Sequence, residues 1–271
     1  MIRYILAREG DCMLLVAASL AFFPSPRVDS NSMPCRQIRK RKLPPSTAEK
    51  KARFVRDLWM KHNHCHPLER ATLFRTVKED CGFGGKVLYP GSYVDIHASV
   101  VFDDVVYVDT DRKAKRFFSS PDIVRGLVRG HRQKDKKASF RFSFHPNDYM
   151  QPLPYPDGFF DGLISLYAGP ISEFCSRYVK KGGYLLVNKS HGDVALAALN
   201  SQWVLVAVLV QCASPPSSTK PSKLAVVRQD LESFLEPKRQ TDKDITRETL
   251  IQSQTGVKYK KEAVAYVFEK K

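Results

Sequence analysis

From Lys86 onward one pattern repeats, and it leaves few folds open. Short apolar runs end at turn residues and are followed by helix-forming stretches. Lys86-Val-Leu-Tyr89 stops at Pro90-Gly91-Ser92, and Val105-Val-Tyr-Val108 stops at Asp109. Ser139 to Phe144 alternates in polarity and stops at His145-Pro146. Further strand-like runs cover Phe159 to Leu166, Tyr184 to Asn188, Trp203 to Val210 and Ala263 to Phe268. Helical stretches fall between them: Arg112 to about Lys134, Ile171 to Lys180, Asp193 to Leu199, and Ile245 to Gln254. Two more, separated at Pro67, fill Thr47 to Asp80 ahead of the first strand. Strands joined through helices need right-handed crossovers, so the pattern predicts an α/β domain with a mainly parallel sheet and helices on both faces.

Domain limits follow from where the pattern stops. Residues 1–46 lack apolar periodicity and carry five prolines, as expected of a disordered or targeting segment dispensable for folding. Met13 to Phe23 has the length of a signal-peptide core, and the Ser/Pro/Arg-rich stretch after it suits a plastid-type presequence. Glu9 and Asp11 sit where such leaders avoid acid, and Met33 is an alternative start. The domain is expected over 47–271, with a Ser/Pro-rich loop insertion at about 213–223. Neither Met13 to Phe23 nor Trp203 to Val210 reaches the roughly 20 apolar residues of a membrane span. Six cysteines without a Cys-x-x-Cys pair point to a reducing compartment, so a cytoplasmic location is the default.

Net charge is +16, unevenly spread. Residues 1–60 hold twelve basic and five acidic residues, and 112–137 hold ten and two, whereas 138–213 balance. Such stripes suit nucleic acid through Arg36-Gln-Ile-Arg-Lys-Arg-Lys42 and the 112–137 segment; a solvated helix face is the plainer account. Phe117 and Phe118 are the few interleaved aromatics, fewer than base stacking favours.

Open parallel sheets bind ligands beyond the carboxyl ends of their strands. Asp109 ends the second strand, where a carboxylate can accept from both hydroxyls of a ribose. Asp148, with Tyr149 beside it, lies just past the third and can meet an exocyclic amine. Gly91 allows a close backbone approach after the first. Each aspartate equally suits a turn or helix cap, and Asp161, ahead of a strand, is expected to orient backbone. Gly82-Phe-Gly-Gly-Lys86 fails as a phosphate loop because the strand follows it, and no Gly-x-Gly-x-x-Gly or Gly-x-Ser-x-Gly occurs. His62, His64, Cys65 and His66 form a metal-like cluster that surface histidines explain as well; no metal is expected.

In order and spacing these pieces resemble the Rossmann-like S-adenosylmethionine-dependent methyltransferases. The resemblance runs over about Lys86 to Phe268 and rests on Val87-Leu-Tyr-Pro-Gly-Ser92, Val105-Val-Tyr-Val-Asp109, Asn147-Asp148, Leu153-Pro-Tyr-Pro-Asp157, Phe160-Asp161-Gly-Leu-Ile-Ser165 and Tyr178-Val-Lys-Lys-Gly-Gly-Tyr-Leu-Leu-Val187. It implies a three-layer Rossmann-like methyltransferase fold with a seven-stranded sheet, mainly parallel, whose last strand is antiparallel. It also implies S-adenosylmethionine as cofactor, with Tyr89, Gly91, Ser92, Asp109, Asp148 and Tyr149 as binding residues. In the family's first turn an acid precedes Gly-x-Gly; Tyr89 and Tyr93 stand at the acid and second glycine, and Asp95 or Ser92 are the compensating candidates. The acceptor side falls to Tyr167, Asn188 and His191, with Glu173 and Asp193 nearby. Ser165-Leu-Tyr-Ala-Gly-Pro170 lacks the Asn/Asp-Pro-Pro-Tyr of base methyltransferases, which favours a small-molecule acceptor. A non-catalytic binding module and an RNA-associated protein are the alternatives.

Overall fold

The structure, a computed structural model, describes residues 45–65, 69–132, 139–212, 223–239 and 245–271, with only the backbone of 64, 65 and 69. The expectations for the leader, for the 213–223 insertion and for the last five residues of the basic 112–137 segment therefore lie almost wholly outside the described residues, as do the side chains of His64, Cys65 and His66. None of the described helices is long and apolar enough to cross a membrane.

Helices α1 (Thr47–Cys65) and α2 (Glu69–Cys81) precede β1 (Lys86–Pro90). Then follow α3 (His97–Val101), β2 (Asp104–Val108), α4 (Arg112–Phe118), α5 (Pro121–His131) and β3 (Arg141–His145). The second half holds β4 (Phe160–Ser165), α6 (Ile171–Cys175), β5 (Val179–Val187), α7 (Asp193–Leu199), β6 (Trp203–Gln211), β7 (Leu224–Val227), α8 (Arg247–Ser253) and β8 (Ala265–Lys270). They form one sheet in the order β3-β2-β1-β4-β5-β8-β6-β7. Strands β1 to β5 pair in parallel, and β8 is antiparallel to both β5 and β6. This is the three-layer arrangement expected, with its antiparallel last strand.

The strand count differs: eight are described, not seven. Leu224-Ala-Val-Val227 pairs antiparallel with the end of β6 as an added edge strand. Four residues without alternation carry too little periodicity to announce a strand. The long basic helix is also two helices, because Ser120 sits at the N-cap and Pro121 at the first position of α5, a start signal inside the run.

Side-chain alternation builds the layers. Val87 and Tyr89 of β1, with Val105 and Tyr107 of β2, enter one core together with Trp59, Phe74, Phe117 and Val128 from α1, α2, α4 and α5. Leu88, Val106 and Val108 enter the other with Ile171, Leu196 and Leu250 from α6, α7 and α8. Between β1 and β4 the chain order reverses, which opens a crevice beyond the strand ends. Asp161 takes the Lys86 amide at 2.7 Å and pairs with Lys180 at 2.5 Å, so it orients backbone as expected.

Candidate functional site

At that crevice Gly91, Asp109, Thr110, Asn147, Asp148, Tyr149, Met150 and Ala168 line a cavity of about 300 Å³. They come from the loops after β1, β2, β3 and β4. Four residues singled out from the sequence, Gly91, Asp109, Asp148 and Tyr149, are thereby brought together.

Asp109 is tied down at both carboxylate oxygens. Oδ2 accepts the Tyr93 amide and Oδ1 the Asp111 amide, each at 2.7 Å. A carboxylate offers about four lone-pair sites, so both oxygens keep acceptor capacity toward the cavity. Asp148 Oδ1 accepts the Met150 amide at 2.9 Å in a short turn. The turn role foreseen for these aspartates is therefore seen, while the helix cap of α4 falls to Asp111, and the turn bonds fix their directions without exhausting them. The Tyr149 hydroxyl donates to the Ala168 carbonyl at 2.8 Å. Burial, aided by Asp193, Cys175 and Asp148, pushes its phenol up.

Gly91 has φ +61°, and a Cβ there would collide with the Ala168 methyl. Its freedom thus serves the approach of the β4 loop. Two positions on, Tyr93 holds φ +49° without being glycine, at the position where a second glycine was expected.

Tyr89 and Ser92 are not among the cavity's lining residues. Alternation carries Tyr89 into the α1–α5 core, where its hydroxyl donates to Asp95 at 3.0 Å and accepts from Arg70 at 3.0 Å. Asp95 is fully buried, 2.5 Å from Arg70, and accepts from His97 Nδ1 at 2.6 Å. Burial opposes its ionisation, but the His97 bond and the Arg70 charge overcome that and hold the carboxyl well below its usual range. Asp95 thus stands beside the tyrosine in place of an acid, but inside the core. Ser92 is 2% exposed, and its Oγ makes no hydrogen bond among the described residues.

Among the residues expected on the acceptor side, Tyr167 is 62% exposed with φ +61°, and the Arg70 guanidinium lies 5.2 Å from its ring centroid. Asn188 is buried and accepts the Ser190 amide; His191 is half-buried with φ +56°. Glu173 forms an ion pair with Arg247 of α8. Asp193 is buried, accepting from Ser165 Oγ, from the Ser172 amide at 3.1 Å and from Ser172 Oγ at 2.5 Å. Burial pushes its carboxyl up to about 6 against the pull of those donors. It ties the end of β4 to α6. Gln254 had no signal in the sequence beyond closing a helix. It caps α8 with φ +46°, its amide oxygen 3.6 Å from where a Gly169 Cβ would stand, beside the Tyr149 hydroxyl.

No protein-family model and no curated protein matches the chain. Solved structures with similar backbones include the (4+2)-cyclase SpnF, at 24% identity and TM-score 0.33 over 43% of this chain and 44% of that one. The N-methyltransferase NodS from Bradyrhizobium japonicum, in complex with S-adenosyl-L-homocysteine, is 15% identical with TM-score 0.38, over 61% of this chain and 90% of that one. YcgJ from Bacillus subtilis is 13% identical with TM-score 0.38, over 74% and 98%. The chain spans less than half the length of the cyclase.

Proposed function

We propose that the chain binds S-adenosylmethionine in the cavity at the ends of β1, β2 and β3 and transfers its methyl group to a small-molecule acceptor. One observation carries the reading: Gly91, Asp109, Asp148 and Tyr149, from three successive strand ends, surround a single cavity beside the point where the sheet reverses. At about 300 Å³ the cavity lies at the lower end of small-ligand sites.

The donor and acceptor set fits the adenosine portion. Asp109 would accept from the ribose hydroxyls and Asp148 from the exocyclic amine, while Tyr149 and Met150 supply apolar wall. Bound there, the cofactor supplies an electrophilic methyl group on a sulfonium. What the chain supplies is proximity and alignment, which account for most of such a displacement. Tyr167, His191 and Gln254 would face the acceptor, with the His191 imidazole the candidate general base.

A second reading has its own support. Tyr89 is committed to Arg70 and Asp95, and the Ala168 methyl fills the space over Gly91, which favours a module that holds an adenosine without turnover.

Calorimetry with S-adenosylmethionine, S-adenosylhomocysteine and adenosine separates the two. Both cofactor forms should bind, and Asp109→Asn should weaken each about tenfold to a hundredfold, the loss of a charged hydrogen bond of roughly 1.5–3 kcal/mol. Binding of adenosine as tightly as the cofactor supports the second reading. No binding of any of the three, or equal binding by the variant, refutes the site.

A further inference from the structure

The layer formed by α1, α4 and α5 carries charge that the cavity does not use. Its three helices pack together: Arg116 of α4 sits 3.9 Å over the Phe54 ring of α1, and Trp59 of α1 meets the His131 ring of α5 at 5.8 Å. Outward from α1 project Lys50, Lys51, Arg53, Arg56 and Lys61, all exposed. Arg112, Lys113, Lys115 and Arg116 of α4 and Arg129 of α5 are exposed as well.

The acids of this layer are already committed. Glu49 accepts the Ser46 amide, Asp57 pairs with Arg53, and Asp122 pairs with Arg125. Asp111 caps α4 by accepting the Lys113 and Ala114 amides. The cations at positions 50, 51, 56, 61, 112, 113, 115 and 129 form no ion pair among the described residues. A surplus of this density attracts a polyanion.

Which polyanion is decided by what the layer lacks among its described residues. Its one exposed large apolar side chain is Met60, so it offers no apolar stripe to enter a membrane interface. Trp59, Phe117 and Phe118 are buried and Phe54 lies under Arg116, so no free ring is offered to stack unpaired bases. What remains is a carpet of cations that on α1 runs from Lys50 to Lys61, roughly 17 Å or about five base-pair steps of a duplex, and continues onto α4 and α5. We infer that the α1/α4/α5 face binds the phosphate backbone of double-stranded nucleic acid without reading its sequence. This is independent of the methyl-transfer reading, since the cations project outward from the helical layer and none of them lines the cavity, although Arg112 follows closely on the end of β2.

The test is fluorescence anisotropy of the full chain with a labelled 24-base-pair RNA duplex, its DNA counterpart, the single strand, and phosphatidylserine vesicles, at 50 to 200 mM salt. The variant is Arg56→Glu, Lys61→Glu, Arg112→Glu and Lys115→Glu combined, with a milder Arg112→Gln, Lys115→Gln pair in case the fourfold change disturbs folding. A third variant replaces Arg39, Lys40, Arg41 and Lys42 with Ala to remove the basic tail. Wild type should bind both duplexes more tightly than the single strand or the vesicles. Four lost phosphate contacts flatten the log-log salt slope by about 3.6, so the fall in affinity from 50 to 200 mM becomes about 150-fold smaller. The milder pair should flatten it by about half as much, and the tail variant should leave the face's contribution in place. Preference between the duplexes tells RNA from DNA. Unchanged slopes in both face variants, loss of all binding in the tail variant alone, or tighter binding to vesicles or single strands would overturn the inference.

Discussion

Asp193→Asn is the substitution whose consequence the structure fixes most closely. The carboxylate is 1% exposed and held by Ser165 and Ser172, yet burial outweighs these donors and its pKa rises from 3.8 to about 6. A raised carboxyl favours the fold when protonated. Its contribution is complete below the unfolded pKa near 3.8 and is lost as pH climbs through the folded value near 6. About two units correspond to about 3 kcal/mol, surrendered at roughly 1.4 kcal/mol per pH unit inside that window. Asparagine keeps an oxygen for the Ser172 amide and offers its NH₂ to the serine hydroxyls, which can accept, and it does not titrate. The stability of wild type minus that of the variant should therefore fall by about 2.4 kcal/mol between pH 4 and pH 7, and other carboxylates cancel in the difference. Urea unfolding at half-unit pH intervals, followed by the fluorescence of Trp59 and Trp203, measures it. A difference that moves by less than 1 kcal/mol across the window, or rises with pH, would show that Asp193 is not held as described.

Asp95→Asn should cost about 3–5 kcal/mol at pH 7, because it leaves the Arg70 charge without its buried partner; a urea midpoint near wild type would contradict this. The wild-type Asp95 carboxyl is held low, so its contribution is present above the ordinary carboxylate range and is lost on acidification, opposite in sign to that of Asp193. Gly91→Ala places a Cβ at positive φ and against the Ala168 methyl, and should cost about 2–4 kcal/mol in chemical denaturation. A loss under 1 kcal/mol would mean that the β4 loop yields freely.

Much of the frame was legible from residues 86 to 268, because each buried strand is an apolar run closed by a turn residue. Asp109 and Asp148 could be placed at strand ends for the same reason. The burial of Tyr89 follows from strand alternation: in β1 it shares a face with Val87, and that face is core. The start of β5 was hidden, since Ile171 to Lys180 reads as one helix before a Gly-Gly turn; α6 instead ends at Cys175, and Val179 becomes strand by pairing with Phe160. The five-residue α3 has too few turns to show a helical period. The burial of Asp193 gave no signal, because it depends on Ser165 and Ser172 arriving from two other elements. Gln254 gave no signal, since its place beside Gly169 depends on how α8 packs.

The position of β8 has a consequence for how the chain is made. It is the last strand of the sheet in chain order, yet it lies between β5 and β6 and supplies the pairing for both. Until Ala265–Lys270 has been translated, β5 ends in an open edge and the β6–β7 hairpin has no place in the sheet. Packing of the α6–α8 layer is equally delayed, because Tyr266 and Phe268 are part of its core. Assembly of the sheet on the ribosome therefore halts at five strands. Any chain cut short before residue 265 exposes two long unpaired strand edges, the kind of surface through which nascent chains aggregate.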